Sequence, residues 1–216
     1  HFERADAGRS RYRFAAAARA ADLASALRRL VPADARVLEV GCGRGKLLAA
    51  LPNPVRHGLD SAARAVALAQ SQAPGCDVVL DDALTFDRPE RYDAIVCDQL
   101  CHTVPDVQRL LENLARHLAP DGRVFLTCFN GLLEPAFGAA EVLGVKERTP
   151  PMNWLSESDF DNLFRLTGLE VVRFEDRMLL PIAEAAPLNR YLAPLPGLSR
   201  LSLYRIYVLR PARRPR

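Results

Sequence analysis

The sequence predicts an α/β domain, a mostly parallel sheet of seven strands with helices on both faces. An apolar run at 37–40 stops in glycines at 41, 43 and 45, and a helix-forming stretch follows at once. Strand-like and helix-like segments then alternate as far as residue 128, the pattern that builds parallel sheets through crossover helices. The chain has 216 residues, 49% hydrophobic and 25% charged, which is enough for one sizeable core.

Residues 1–11 are polar and arginine-rich and are expected to lack fixed order unless a ligand closes them down. A helix is predicted over 12–31, where Phe14, Ala18, Leu23, Leu27, Leu30 and Val31 fall near helical spacing; Pro32 and Asp34 end it. The first strand, 37–40, leads into a helix over 46–51. Pro52 and Pro54 break the chain before a second strand at 55–60 and a helix at 61–72. A third strand is read at 76–80 and a fourth at 92–97. The loop 98–106 leads to a helix over 106–118, Pro120-Asp121-Gly122 makes a turn, and the fifth strand is 123–128. Residues 130–155 show no clear period and suit a cover over a pocket. A helix opens at Ser156-Glu157-Ser158-Asp159 and closes at Gly168, and strands are read at 169–180 and 201–209. The prolines and leucines between those strands predict either a cover for the sheet edge, a wall of a pocket, or a patch that rests on a membrane surface.

Glycines at alternate positions let a ligand approach the backbone closely, and the helix that follows begins with unpaired N–H groups. A P-loop is excluded, since Val40 stands where its first glycine belongs and Leu47, not a hydroxyl residue, follows Lys46. A dinucleotide fingerprint requires its third glycine at 46, where Lys46 stands. What fits without a gap is Glu39-x-Gly41-x-Gly43-x-Gly45. Asp60 ends the second strand 19 residues past Gly41, where a carboxylate can accept both hydroxyls of a ribose; its other reading is a cap on the next helix.

This stretch resembles the first motif of the class I S-adenosylmethionine (SAM) dependent methyltransferases, and the resemblance extends over about residues 35–210. It implies a Rossmann-like sheet whose last strand is antiparallel, SAM as cofactor, S-adenosylhomocysteine (SAH) as product, and no metal. It assigns the cofactor to Glu39, Gly41, Cys42, Gly43 and Gly45, to Asp60 and Ser61 after the second strand, to an adenine-holding Asp82-Ala83 pair, and to Asp98, Gln99 and Leu100 after the fourth. One domain, 1–216, is expected, with a helical cap at about 12–31 and acceptor-side insertions at about 129–155 and 180–200. Tyr12, Phe14, Asn130 and Trp154 are then the acceptor-side residues. Relatives often carry a Leu-Glu-His-Val-Pro-Asp-like run after the fourth strand; aligned on Val104-Pro105-Asp106, His102 falls where that glutamate sits. His102 is either a catalytic base beside the methyl donor or a structural histidine.

Nucleic-acid and protein amide methyltransferases usually show Asn-Pro-Pro-Tyr where this chain has Asp98-Gln99-Leu100-Cys101, so a small-molecule or glycan-like acceptor, methylated at oxygen, is expected and nucleic acid is not. The alternatives are an NAD-type oxidoreductase and a methyltransferase-like domain that binds without catalysis. Net charge is only +3, with much of the excess arginine near the C-terminal end, which reads as a solvated tail. Five cysteines at 42, 76, 97, 101 and 128 form no C-x-x-C pair and read as reduced thiols of a cytoplasmic protein. Oligomeric state is not legible.

Overall fold

The computed structural model describes residues 10–142, 152–179, 186–192, 195 and 197–212, without the side chains of 10–15, 136, 140, 186, 187 and 190. Helices are α1 (Ser10–Leu30), α2 (Lys46–Ala50), α3 (Ala63–Gln72), α4 (Val107–Arg116), α5 (Glu134–Val142), α6 (Glu157–Leu166) and α7 (Ala186–Leu192). Strands are β1 (Val37–Val40), β2 (Arg56–Asp60), β3 (Asp77–Leu80), β4 (Tyr92–Asp98), β5 (Leu118–Phe129), β6 (Leu169–Arg177) and β7 (Tyr204–Pro211). They form one seven-stranded sheet in the order β3-β2-β1-β4-β5-β7-β6. β1 to β5 run parallel, and β7 is antiparallel to both β5 and β6.

Both faces of the sheet are buried, and the strands alternate between them. Leu38, Ile95, Val124 and Leu126 pack with Leu110, Leu114, Phe160 and Phe164 of α4 and α6. Val37, Ala94, Val96 and Phe125 face the other way, onto Leu23, Ala26 and Leu27 of α1. A residue between Val37 and Val40 therefore has no wet side, which is why this run is continuously apolar apart from Glu39.

The chain winds outward from β1 through β2 to β3, then returns to β4 on the other side of β1. The crevice at the carboxyl ends of β1 and β4 is the place where such sheets take ligands. Register sets Val40 opposite Cys97, so Gly41 and Asp98 leave the sheet side by side.

Several boundaries differ from expectation. The Pro120-Asp121-Gly122 turn exists as a bulge inside β5: Tyr92 pairs with Leu118, and the ladder resumes at Ala94 with Arg123. A Cβ on Gly122 would lie 2.7 Å from the Tyr92 carbonyl oxygen, so the bulge needs glycine. Asp106 caps α4 by accepting from the Arg109 N–H at 2.9 Å, and the helix starts one residue later than read. β6 stops at Arg177 because Met178 adopts φ +65°, and 199–201 is a short 3₁₀ turn that delays β7 to Tyr204. The region read as an aperiodic cover contains α5, and the proline-rich connection contains α7. The capping box of Ser156 and Asp159 on α6 forms as read. Residues 1–9, 143–151 and 213–216 lie outside the described residues.

Candidate functional site

The glycine turn is held by the neighbouring strand. The N–H groups of Gly41 and Cys42 both donate to the Leu59 carbonyl at 2.9 Å. Asp60 finishes the clasp: Oδ2 accepts from the Gly43 N–H at 2.8 Å and Oδ1 from the Ala62 N–H at 2.9 Å. The carboxylate thus ties the glycine turn to the residue ahead of α3; the helix-cap reading of Asp60 does not hold, since the N-cap of α3 is Ala62 and no side chain caps it. Gly43 and Gly45 both sit at positive φ but for different reasons. A Cβ on Gly45 would come within 3.0 Å of the Ala69 Cβ, so this glycine lets α3 pack against the turn. At Gly43 a Cβ would meet nothing within 4 Å. That open side faces a cavity of about 550 Å³ lined by Arg19, Glu39, Gly41, Gly43, Lys46 and Asp98 among others.

Along the carboxyl edge of the sheet the order β3, β2, β1, β4 brings Asp82, Asp60, the glycine turn and Asp98 into one row. Asp98 is gripped by Arg19 of α1, both guanidinium nitrogens reaching its two oxygens at 2.9 Å, and it accepts from the Thr127 hydroxyl at 2.5 Å. Glu39 is only 4% exposed, and its Oε2 has no hydrogen-bond partner. Burial first, then the charges of Asp98 and Asp60, push its carboxyl well above the usual range, while the Leu48 N–H pulls the other way. Cys42 lines the same cavity; burial first, then Glu39 and Asp60, push its thiol up to about 12, so it stays protonated. Gln99 adopts φ +57°, receives its backbone position from Thr127, and has a buried amide nitrogen without a partner. Leu100 packs on Gly41, 3.1 Å from where a Cβ would stand. Ser61 is exposed beyond β2. Asp82 Oδ1 accepts from the Leu84 N–H at 2.8 Å, and Ala83 is buried.

His102 is 2% exposed. Its Nδ1–H donates to the Asn153 carbonyl at 2.7 Å, and its Nε2 accepts from the Phe129 N–H at 2.8 Å. Burial holds its pKa below the ordinary histidine value, against the opposing pull of the Asn153 carbonyl and Asp98. A base needs a lone pair that can reach substrate, and here both ring nitrogens are occupied by backbone. Of the two readings of His102, this arrangement favours the structural one: the ring joins the end of β5 to the 152–155 segment.

A second cavity, about 590 Å³, opens at the end of β5 and is lined by Phe129, Asn130, Trp154, Arg200, Arg205 and Tyr207 among others. Trp154 stands 5.7 Å from the His102 ring and 5.6 Å from Phe137. The Asn130 side chain is committed to backbone: it accepts from Leu132 N–H and donates to the carbonyls of Arg200 and Ser202. Asn130 shapes this wall with both its N–H groups committed, and its Oδ1 keeps one lone pair beyond the bond from Leu132. Tyr12 and Phe14 lie in α1, with side chains outside those described. A larger groove along α4, about 830 Å³ and lined by Asp106, Arg109 and Glu112, holds none of the expected residues. Sequence reasoning missed Arg19 and Thr127. The only local signal for Arg19 was its spacing from Asp22, which lies one turn further along the same face and binds Arg177 and the Tyr204 hydroxyl.

A sequence profile of the family described as a methyltransferase domain matches residues 11–173. The chain belongs to this methyltransferase family. The methyltransferase is 29% identical over 153 residues to a ubiquinone biosynthesis O-methyltransferase of Pseudomonas entomophila, covering 64% of this chain and 66% of that one. A protein of the same name from Xylella fastidiosa is 31% identical over 114 residues, 49% of this chain and 46% of that one. The matches therefore span about half to two thirds of these relatives' own length. Among solved structures, the magnesium protoporphyrin IX methyltransferase of Synechocystis with bound SAH shares the fold at a TM-score of 0.66 and 17% identity, over 94% of this chain and 89% of that one. The fold is the class I, Rossmann-like one, and SAM is the cofactor of the family. Among the described residues no group of three His, Cys, Asp or Glu could hold a metal, and no helix is long and apolar enough to cross a membrane.

Proposed function

We propose that this methyltransferase transfers the methyl group of SAM to an oxygen atom of a small-molecule acceptor. The observation that carries the cofactor assignment is the pairing of an open glycine, Gly43, with a buried unpartnered carboxyl oxygen, Glu39 Oε2, on one cavity. Both are features that a bound ligand completes: a side chain at 43 would fill its space, and an orphan acceptor awaits a donor. When bound, SAM supplies an electrophilic methyl group. Asp60 then serves the ribose, Asp82 and the Ala83 N–H the adenine, and Glu39, Arg19 and Asp98 the sulfonium and the amino-acid end that follows it.

The acceptor is assigned to the cavity at the end of β5, against Phe129 and Trp154. Oxygen as the target is supported by the names of the relatives and by Asp98-Gln99-Leu100-Cys101, which lacks the run typical of amide methylation. With both His102 nitrogens committed, orientation carries the transfer, and acceptors whose oxygen ionises unaided, a carboxylic acid or an acidic phenol, fit best. Glycan hydroxyls fit less well for the same reason. Exposed Leu198 and Leu201 flank Arg200, which lines this cavity, and with exposed Leu188, Tyr191 and Leu195 of the same connection they support contact with a membrane surface.

The test is calorimetry with SAM and NAD, followed by mass spectrometry of a panel of phenols, carboxylic acids and sugars incubated with protein and SAM. Binding of SAM but not NAD, with a methylated phenol or acid, is expected. NAD binding without SAM binding would overturn the proposal.

A further inference from the structure

Three carboxyl groups surround the glycine turn, and their surroundings differ. Asp98 on β4 is matched by the two-pronged Arg19 contact and the Thr127 hydroxyl. Asp60 on β2 has a backbone N–H on each oxygen. Glu39 on β1 lines the cavity, has one N–H, from Leu48 in α2, and keeps its buried Oε2 without a partner. The cations lining the same cavity are Arg19 from α1, Arg44 from the turn, Lys46, exposed at the start of α2, and Arg28 of α1. Arg19 is engaged by Asp98, Arg28 Nε donates to the Ala50 carbonyl, and Arg44 has contacts of its own. Cys42 remains a thiol. Of the three acids, Glu39 is the one whose ionised form the protein compensates least, with a single N–H donor.

SAM carries one more positive charge than SAH, because its sulfur is a sulfonium. We propose that Glu39 changes protonation with the charge of its ligand: an acid in the free protein, a carboxylate when SAM fills the cavity, and an acid again once the methyl group has left. On binding, the Glu39 O–H bond breaks and the proton passes to buffer; after transfer, a buffer proton returns. Glu39 thereby favours SAM over SAH, so that loss of the methyl group weakens the hold on the product. This rests on the cofactor reading above. Its geometric basis is the orphan oxygen on a ligand cavity, and the raised pKa of Glu39 agrees with it.

The sign follows from linkage. SAM lowers the pKa of Glu39 relative to the free protein, so between the bound and free values binding releases a proton and affinity rises with pH. For SAH the two values lie closer together, and the rise is smaller. The ratio of SAM to SAH affinity should therefore climb with pH, by at most about tenfold per unit.

Calorimetric titration of SAM and of SAH into wild-type protein, in buffers of different ionisation enthalpy at pH 6.5, 7.5 and 8.5, counts the protons directly. More proton release with SAM than with SAH at one or more of these pH values is expected. Glu39→Gln should bind SAM with that difference abolished and a SAM to SAH ratio independent of pH. The wild-type count stands even where the variant does not fold. SAM binding with equal or no proton release for both ligands overturns this inference alone, whereas no SAM binding at any pH overturns the cofactor reading and the inference with it.

Discussion

Replacing His102 with alanine distinguishes the structural role of this residue from that of a base. The change leaves the Phe129 N–H and the Asn153 carbonyl without the partners they have at 2.8 and 2.7 Å. Each unmade bond in a buried setting costs about 1–3 kcal/mol, and because Phe129 and Asn153 retain some exposure the lower half of that range applies to each. Lost ring packing against Phe129 and Trp154 adds to this, so a destabilisation of about 2–4 kcal/mol is expected. Urea denaturation at pH 7.5 measures it. The wild type should also show a pH signature: His102 has a lowered pKa when folded, so its contribution is complete above the ordinary histidine value and declines as pH falls below 6.5. The slope is at most about 1.4 kcal/mol per pH unit, and His102→Ala should lose it. The single-turnover methyl-transfer rate of the folded variant should stay within about tenfold of wild type, since general-base loss costs about 10²-fold or more. A variant of unchanged stability whose transfer rate drops about 10²-fold, with loss of a histidine-like ionisation from the rate profile, would refute the structural role and restore His102 as a base.

Asp60→Ala should weaken SAM binding by at least about 1–3 kcal/mol in a direct titration, since it removes both the proposed ribose acceptor and the clasp on Gly43; unchanged affinity would remove Asp60 from the site. Gly43→Val should abolish SAM binding with the circular dichroism of the fold retained, because φ +53° and the open cavity side, not protein packing, set this position. Gly58→Val should do the reverse, lowering thermal stability first, because its Cβ would stand 2.6 Å from the Leu48 Cδ1. Asp22→Ala should loosen α1 by leaving Arg177 and the Tyr204 hydroxyl short of a partner, at about 1–3 kcal/mol; hydrogen exchange over residues 16–30 should rise, and unchanged protection would show that α1 docks by its apolar face alone.

The glycine turn and its strand were legible because local physics favours them: a run buried on both faces is mostly apolar, and a turn with three residues at positive φ is built most easily from glycine. The place of Asp60 at the end of β2 followed from the strand pattern and its separation from Gly41. Arg19 was not legible, since it is one arginine in an alanine-rich helix and its partner Asp98 is 79 residues away, chosen only when α1 docks. His102 was visible as an imidazole, but nothing near it in the chain announces that groups 51 and 27 residues away would take both nitrogens. The Pro120-Asp121-Gly122 signal correctly marked a turn, yet pairing with β4 on either side made it a bulge within a longer strand.

β7 lies between β5 and β6 in the sheet but follows both in the chain. Until residues 204–211 have been synthesised, β6 has no neighbour and β5 presents an open edge along Val124 to Phe129. α1 waits too, because its bed includes Ile206 and Val208 of the same strand. Synthesis therefore runs past residue 204 before the first helix can settle, leaving a nascent chain whose unpaired edge invites association with other chains. A tag joined close behind β7 would stand in the path of the last strand to be inserted, and one joined ahead of α1 would not.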